Sequence, residues 1–186
     1  MNPEDANHSA ALLERIGRLL TTEAHAEGLL PVHWESLRYL KRANRFSQNA
    51  AALTAYLGLT KGTVSQTLST LESKGLVSKN VDRRDRRSKH LSLTRKGKSL
   101  LEQDPIEVTA TVIGDLSRST RQQLASTLEG FLSARLAAQQ RRPFGQCRDC
   151  QYFARKHAQG APHYCQLLEE QLAEDDALAI CFEQQP

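Results

Sequence analysis

The chain has 186 residues, of which 39% are hydrophobic and 25% charged, a composition typical of globular proteins. No apolar stretch approaches the roughly 18 to 20 residues that cross a bilayer, and the polar N-terminus lacks the pattern of a secretory signal. We therefore expect a cytoplasmic protein with no membrane partner.

The net charge of +4 is unevenly distributed. Residues 79–98 contain nine basic and two acidic side chains, whereas residues 143–186 contain three basic and seven acidic ones. This asymmetry predicts a polyanion-binding patch in the middle of the chain and a different role for its C-terminal part.

Helical periodicity dominates the first part of the chain. Apolar residues within 9–27 recur at the spacing of a helix that Gly28 ends, and Pro31 suits the first turn of a second helix that continues to about residue 43. A third, short helix is predicted over residues 49–56, before Gly58.

A fourth helix is predicted to begin after Thr60, which suits the N-cap position. Its apolar residues Val64, Leu68 and Leu71 recur every three or four residues until Gly75. A short glycine-containing turn joins it to the third helix, which is the sequence outline of a helix-turn-helix.

Two short strand candidates follow, at residues 76–81 and 90–93, and the basic turn 82–88 lies between them. This pattern predicts a two-stranded hairpin with a charged tip. Residues 94–138 are again helical, with interruptions at Pro105 and near residues 114–119.

The segment from Leu53 to Leu101 resembles the MarR family of bacterial winged-helix regulators. The likeness extends over about residues 8–140 and is most specific at residues 60–71, at residues 74–77 and in the wing. It implies a mainly α fold with a small β-wing (α+β), namely a winged helix-turn-helix with a helical dimerisation region.

We accordingly divide the chain into four parts. They are an N-terminal dimerisation helix (1–30), a winged helix-turn-helix domain (31–98), dimerisation helices (99–142) and a small cysteine-rich extension (143–186). The extension lies beyond the segment that resembles the family.

The fourth helix is the predicted recognition helix, because its polar side chains can reach base edges in the major groove. Gln66 is the best candidate for base reading, since its amide can form two bonds with an adenine edge. The hydroxyls of the helix, including that of Thr67, suit phosphate or water-mediated contacts. The predicted DNA-binding residues of this helix are Thr60, Lys61, Thr63, Ser65, Gln66 and Ser69.

The wing is predicted to contact phosphates and the minor groove through its basic residues. By resemblance to the family, Arg86 is the residue that enters the minor groove, and Asp85 orients a neighbouring arginine. The predicted DNA-binding residues of the wing are Arg83, Arg84, Arg86, Arg87 and Lys89.

The resemblance implies a homodimer that places two recognition helices on successive turns of double-stranded DNA at a palindromic operator. Apolar stripes around Ile16 and Leu128 fit a dimer interface, although they could also pack within one chain. Repression by occlusion of the promoter is expected, and family members often bind a small aromatic effector between the dimer helices and the DNA-binding lobe.

All four cysteines, Cys147, Cys150, Cys165 and Cys181, lie in the extension with the spacing C-x2-C-x14-C-x15-C. In a reducing compartment, four thiolates fit a tetrahedral metal site that would supply much of the folding energy of so small a segment. We predict an iron-sulfur cluster, with a zinc ion as the alternative, because a regulator benefits from a redox-sensitive ligand set.

Other chemistry for the extension stays open. His157 or His163 could replace a cysteine ligand, the thiols could undergo reversible oxidation without a metal, or all four could be ordinary reduced cysteines. If the metal is a purely structural zinc, the signal is instead a small aromatic ligand.

The predicted function is therefore a dimeric, sequence-specific DNA-binding transcription regulator that senses redox or metal status, and not an enzyme. A thiol redox enzyme is a remote alternative, because the C-x2-C pair lacks the βαβ context of such motifs. A protein-interaction module with an incidental basic wing is equally remote.

Overall fold

The computed structural model describes residues 3–81, 89–155 and 162–185. Within them, the helices and strands follow one another in the order α1 to α4, β1, β2, α5 to α7, β3 to β5 and α8. Their bounds are α1 Pro3–Glu23, α2 Pro31–Arg42, α3 Ala50–Leu57, α4 Lys61–Ser73, β1 Val77–Val81, β2 Lys89–Leu93, α5 Arg95–Leu100, α6 Ile106–Gly114, α7 Arg118–Ala138, β3 Phe153–Arg155, β4 His163–Cys165, β5 Glu170–Leu172 and α8 Glu174–Leu178.

The hydrophobic core lies in the winged-helix lobe, which comprises α2 to α5 with β1 and β2. Trp34 and Leu37 of α2, Leu53 of α3 and Leu71 of α4 have no exposed surface. Apolar burial of this kind contributes roughly 1.5–3 kcal/mol per large side chain and fixes the relative positions of these helices.

Local signals set the ends of α3 and α4. The Asn49 side chain accepts a hydrogen bond from the Ala52 N–H, and Thr60 caps α4 in the same way through the Thr63 N–H. Between the two helices, Gly58 adopts a left-handed conformation with φ of 66°. A side chain is strained there, so glycine at this position permits the tight turn.

The wing is an antiparallel pair, in register from Val77 opposite Leu93 to Val81 opposite Lys89. Leu76 anchors its base, because the Leu76 carbonyl accepts the Thr94 N–H that precedes α5. The wing tip, residues 82–88, lies outside the described residues.

The helices that flank the lobe expose apolar side chains. Ile16 and Leu19 of α1 are 48% and 57% exposed, and Phe131 and Leu132 of α7 are 51% and 55% exposed. In the described part of the chain, no helix is both long and apolar enough to span a membrane.

The cysteine-rich extension forms a small antiparallel sheet in the order β3-β4-β5, followed by α8. It packs against the winged-helix lobe: Ile180 is 4% exposed within the core, and Phe144 and Phe182 pack against the same cluster. The extension and the lobe therefore share one hydrophobic core.

The mainly α fold with a small β-wing is confirmed, as are the predicted helix-turn-helix and the break between α6 and α7. The first helix was predicted over residues 9–27 but begins at Pro3 and ends at Glu23. It ends early because Ala24 and Leu29 turn into the core. The four-part division of the chain stays a prediction.

Candidate nucleic-acid interface and cysteine site

Helix α4 separates its residues into a buried face and an exposed face. Val64, Leu68 and Leu71 are at most 2% exposed. The opposite face presents the side chains predicted to contact DNA, and all of them are exposed: Lys61, Thr63, Ser65, Gln66 and Ser69, with Thr60 at the helix N-cap. The apolar face of α4 thus packs against the core of the lobe, and its polar face is left exposed.

Thr67 does not belong to this face, and the prediction of a DNA contact for its hydroxyl is wrong. The residue is 5% exposed, and its hydroxyl donates a hydrogen bond to the Thr63 carbonyl at 2.9 Å. A buried threonine in a helix satisfies its hydroxyl in this way.

At the helix N-terminus, the Thr60 and Thr63 hydroxyls lie 2.9 Å apart. The Lys61 side chain is exposed beside them, at the positive end of the helix dipole. Hydroxyls, a cation and free N–H groups at a helix N-terminus suit a DNA phosphate.

The described part of the wing carries two lysines. Lys79 of β1 forms an ion pair with Glu72 of α4 at 2.7 Å, and Lys89 is exposed at the start of β2. The other predicted wing contacts, Arg83, Arg84, Arg86 and Arg87, lie outside the described residues, as does Asp85.

Two of the four cysteines are in contact at the base of the extension. Cys147 and Cys181 are both buried, and the Cys147 thiol donates a hydrogen bond to the Cys181 sulfur. This bond lowers the pKa of Cys181 below its ordinary value, although burial acts to raise it. The same bond, together with burial, raises the pKa of Cys147.

The winged-helix lobe supplies further donors to these two sulfur atoms. Asn44 Nδ2 donates to Cys147 Sγ at 3.2 Å, and the Asn44 side chain also bonds Cys181. The Ser47 side chain and the Glu183 backbone also act to lower the pKa of Cys181. Such donors stabilise a thiolate, which is the form that binds metals.

The other two cysteines lie on neighbouring parts of the extension. Cys150 follows Cys147 by one 3-10 turn, and its sulfur accepts the Gln185 N–H at 3.5 Å. Cys165 lies opposite Phe153 in the β3–β4 pair and opposite Glu170 in the β4–β5 pair.

Across the described ranges, no three histidine, cysteine or acidic side chains are grouped closely enough to hold a metal ion. The structure therefore pairs Cys147 with Cys181 and leaves Cys150 and Cys165 outside that contact. His163 packs against Phe153 with ring centroids 4.8 Å apart and ring planes tilted by 44°, and its Nε2 lies 3.1 Å from a Glu174 carboxylate oxygen. His157 lies outside the described residues.

Sequence reasoning missed Asn44 and Ser47, which are 2% and 1% exposed. They lie between α2 and α3, more than a hundred residues from the cysteines they contact. Two short polar residues between apolar helices signal a turn, but nothing in that signal indicates a sulfur partner.

Comparisons with known proteins agree with this geometry. A sequence profile of the MarR family matches residues 27–88. The HTH-type transcriptional regulator PetP of Rhodobacter capsulatus is 29% identical over 119 residues, which are 64% of this chain and 70% of that protein.

Solved structures with the same fold include S. aureus MepR bound to DNA, 26% identical with a TM-score of 0.56, covering 67% of this chain and 96% of the other. MepR in its DNA-binding conformation is 26% identical with a TM-score of 0.59, covering 68% and 97%. A MarR regulator from Methanosarcina mazei is 25% identical with a TM-score of 0.56, covering 73% and 99%.

Proposed function

Since this chain belongs to the MarR family of winged helix-turn-helix regulators, we propose that it binds a palindromic operator as a homodimer and represses transcription there. It is a DNA-binding transcription regulator, and members of its family are not enzymes. The observation that supports the finer proposal is α4, whose polar face is exposed while Val64, Leu68 and Leu71 hold its other face in the core.

The dimer is supported by the exposed apolar residues of α1 and α7. Ile16, Leu19, Phe131 and Leu132 are each about half exposed in the single chain. Apolar surfaces of this extent on two long helices need a partner. A symmetric partner would bring two copies of α4 to successive major grooves, roughly 34–36 Å apart.

The test is binding of the full chain to the DNA upstream of its own gene, measured by fluorescence anisotropy at two salt concentrations. We expect nanomolar affinity that falls by about 10³-fold or more between roughly 50 and 200 mM salt, because several phosphates are neutralised. Equal affinity for an unrelated duplex of the same length would show that the protein does not read sequence.

We further propose that Cys147, Cys150, Cys165 and Cys181 hold a metal centre, an iron-sulfur cluster or a zinc ion. Only Cys147 and Cys181 are in contact in the structure, so metal binding would have to draw Cys150 and Cys165 towards them. The support for the proposal is the number and spacing of the cysteines, together with the hydrogen bonds that the sulfur atoms of Cys147 and Cys150 accept from Asn44 and Gln185. Hydrogen bonds to sulfur stabilise thiolate ligands and tune the potential of a cluster. The metal would link parts of the extension, which has few buried residues of its own.

Absorption spectroscopy and metal analysis of protein purified without oxygen test this proposal. Iron and sulfide with absorbance near 400 nm identify a cluster, and we then expect a redox or iron sensor. One zinc per chain and no visible absorbance identify a structural centre. Protein with neither metal, and no uptake of either on reconstitution, contradicts the metal proposal.

A small-molecule effector is the second candidate for the signal. A cleft of ≈ 380 Å³ lies between α1, α2 and the start of α6, and Arg38, Arg42 and Tyr56 are among its lining residues. Asp104 already binds Arg38 through two hydrogen bonds, which leaves Arg42 as the main candidate to bind an aromatic carboxylate.

Thermal unfolding with and without benzoate tests this cleft. Benzoate should raise the melting temperature of the wild type and not that of Arg42→Ala, and an equal rise in both would exclude this cleft as the binding site.

A further inference from the structure

The C-terminal end of α7 is fixed by its own backbone. Gln140 adopts a left-handed conformation with φ of 54°. In this conformation the Gln140 N–H donates to the Ala137 carbonyl and the Arg141 N–H donates to the Leu136 carbonyl, both at 2.9 Å. This pair of bonds is the Schellman motif, with which many helices end. The backbone of Arg141 is therefore fixed relative to α7.

The Arg141 side chain reaches the C-terminal end of α3. Its Nη2 donates to the Tyr56 carbonyl at 3.1 Å. That carbonyl belongs to the last turn of α3, where carbonyl groups lack partners within the helix and the helix dipole favours a positive charge. Glu35 of α2 lies near the same guanidinium: burial raises the pKa of Glu35, and the charges of Arg38 and Arg141 oppose that rise. The guanidinium thus caps α3.

Gly58, in the turn between α3 and α4, leaves the space that this guanidinium fills. A Cβ at position 58 would overlap the Arg141 guanidinium. Phe144 packs edge-on against the ring of Tyr56 with centroids 5.3 Å apart, so the chain stays against α3 beyond Arg141. The contact is therefore formed from both sides, by the absence of a side chain in the turn and by a long side chain after α7.

The two elements that Arg141 joins have different roles in the proposed dimer. Over its described length, Arg118–Ala138, α7 buries none of its residues within the single chain. Its exposed apolar side chains are those that we assign to the dimer interface. On the other side of the contact, only Leu59 and Thr60 separate Gly58 from α4. Arg141 therefore connects the proposed dimer interface with the recognition helix.

We infer that Arg141 is a positioning residue for operator recognition, because it holds the turn before α4 to the end of α7 and so orients the two recognition helices of the dimer. The inference rests on the proposed dimeric binding of a palindromic operator and is independent of the metal proposal. Two recognition helices fit successive major grooves only when they lie roughly 34–36 Å apart. Without the Arg141 contact, each lobe keeps its recognition helix but is less firmly oriented relative to the other lobe.

The test measures the affinity of the full chain for three duplexes by fluorescence anisotropy. They are the operator that footprinting locates upstream of the gene, the same duplex cut to one half-site, and the operator with one base pair inserted at its centre. The insertion rotates one half-site by about 34° and shifts it by about 3.4 Å relative to the other. We expect the insertion to lower wild-type affinity by about 10-fold or more, because both lobes can no longer bind at once without strain.

Arg141→Ala removes the guanidinium and leaves the exposed face of α4 unchanged. We expect operator affinity to fall by about fivefold or more, half-site affinity to stay at the wild-type level, and the penalty for the insertion to shrink to about twofold or less. Arg142→Ala is the matched control, because it removes the same charge from a residue whose guanidinium bonds Phe182 and Glu183 and not α3. The control should bind all three duplexes as the wild type does.

Arg141→Lys is the second variant. It keeps a positive charge at the end of α3 but replaces the planar guanidinium with an ammonium on a flexible stem. We expect an insertion penalty between those of the wild type and Arg141→Ala. If Arg141→Ala does not fold by circular dichroism, Arg141→Lys carries the test, and a wild-type insertion penalty in it overturns the inference.

The other outcomes separate the inference from its premise. Wild-type operator affinity and insertion penalty in folded Arg141→Ala overturn the inference. A half-site affinity that falls as far as the operator affinity also overturns it, because Arg141 would then support α4 itself. A monomeric Arg141→Ala in analytical ultracentrifugation does the same, since the residue would then belong to the dimer interface. A wild type that binds the half-site as tightly as the operator contradicts the proposed dimeric binding instead.

Discussion

Gln66 is exposed in the middle of α4, one position after Ser65 and on the face opposite Leu68. Its amide is the group of this helix best suited to two hydrogen bonds with an adenine edge. We expect Gln66→Ala to lower operator affinity by about 1–3 kcal/mol while leaving affinity for random DNA unchanged. Competition anisotropy measures both, and Gln166→Ala, at an exposed position of the extension directly after β4, should change neither.

His33 links pH to the stability of the lobe. Its Nδ1 accepts the Leu30 N–H at 3.0 Å at the start of α2, so the ring must be neutral there. Burial lowers its pKa below the ordinary value of 6.5, and the nearby Lys74 adds to the effect. Below about pH 6.5 the unfolded chain therefore binds more protons than the folded one, and stability falls as the pH falls.

Urea unfolding at pH 7.5 and pH 5.5 tests this dependence. His33→Gln retains an acceptor at the third helical position, where glutamine is a normal capping residue, but does not titrate. We expect the variant to lose less stability than the wild type over this interval. An identical loss in the two proteins would assign the pH dependence to other groups.

Single residues show where sequence reasoning works and where it stops. Val64, Leu68 and Leu71 could be assigned to the core because helical spacing determines which face they share. Thr67 was wrongly assigned to the exposed face. A threonine beside the apolar stripe can be exposed or buried, and here a hydrogen bond from its hydroxyl to the Thr63 carbonyl allows it to be buried. Asn44 could not be found, because its role depends on a cysteine brought to it by the fold.

At the scale of elements, the contact of α5 with the wing base depends on the absence of a side chain at Gly97. A Cβ at this buried position would collide with the Leu76 carbonyl oxygen, which already accepts the Thr94 N–H. Backbone atoms cannot move aside as a flexible side chain can. The approach of α5 to β1 therefore requires glycine here.

Gly97→Ala should destabilise the protein by about 1–3 kcal/mol through this overpacking. The matched control is Gly114→Ala at the end of α6, where a Cβ meets nothing within 4 Å. That change should be neutral or stabilise by up to about 1 kcal/mol, because alanine favours a helix. Chemical denaturation compares the two, and equal midpoints would contradict the collision.

The elements that were predictable carry their own end signals, such as Thr60 before α4 and Gly58 after α3. The strands of the extension, Phe153–Arg155, His163–Cys165 and Glu170–Leu172, were not predicted. Three residues are too few to show an alternating pattern. Such strands are held by pairing with one another, β3 with β4 and β4 with β5.

At the scale of the molecule, the extension could be recognised from its cysteines but not placed. Two of its acidic side chains form ion pairs with the lobe: the Arg45 guanidinium lies 3.4 Å from the Glu170 carboxylate and 3.5 Å from the Asp176 carboxylate. Exposed ion pairs of this kind contribute roughly 0–1 kcal/mol each, so they orient the extension more than they stabilise it. The buried contacts of Ile180 and Phe144 carry most of the attachment.

The dimer is the last level of organisation, and its interface residues can be tested without touching the DNA-binding face. Phe131 is 51% exposed near the middle of α7, and Phe131→Glu would place a charge in the proposed apolar interface. We expect a monomer by analytical ultracentrifugation and operator affinity reduced by about 10²-fold or more, since two linked half-sites bind far more tightly than one. Leu178→Glu, which adds the same charge at a 56% exposed position of α8, should remain dimeric and bind DNA normally. If Phe131→Glu stays dimeric and keeps its affinity, α7 does not form the interface, and the exposed stripe on α1 becomes the surface to test.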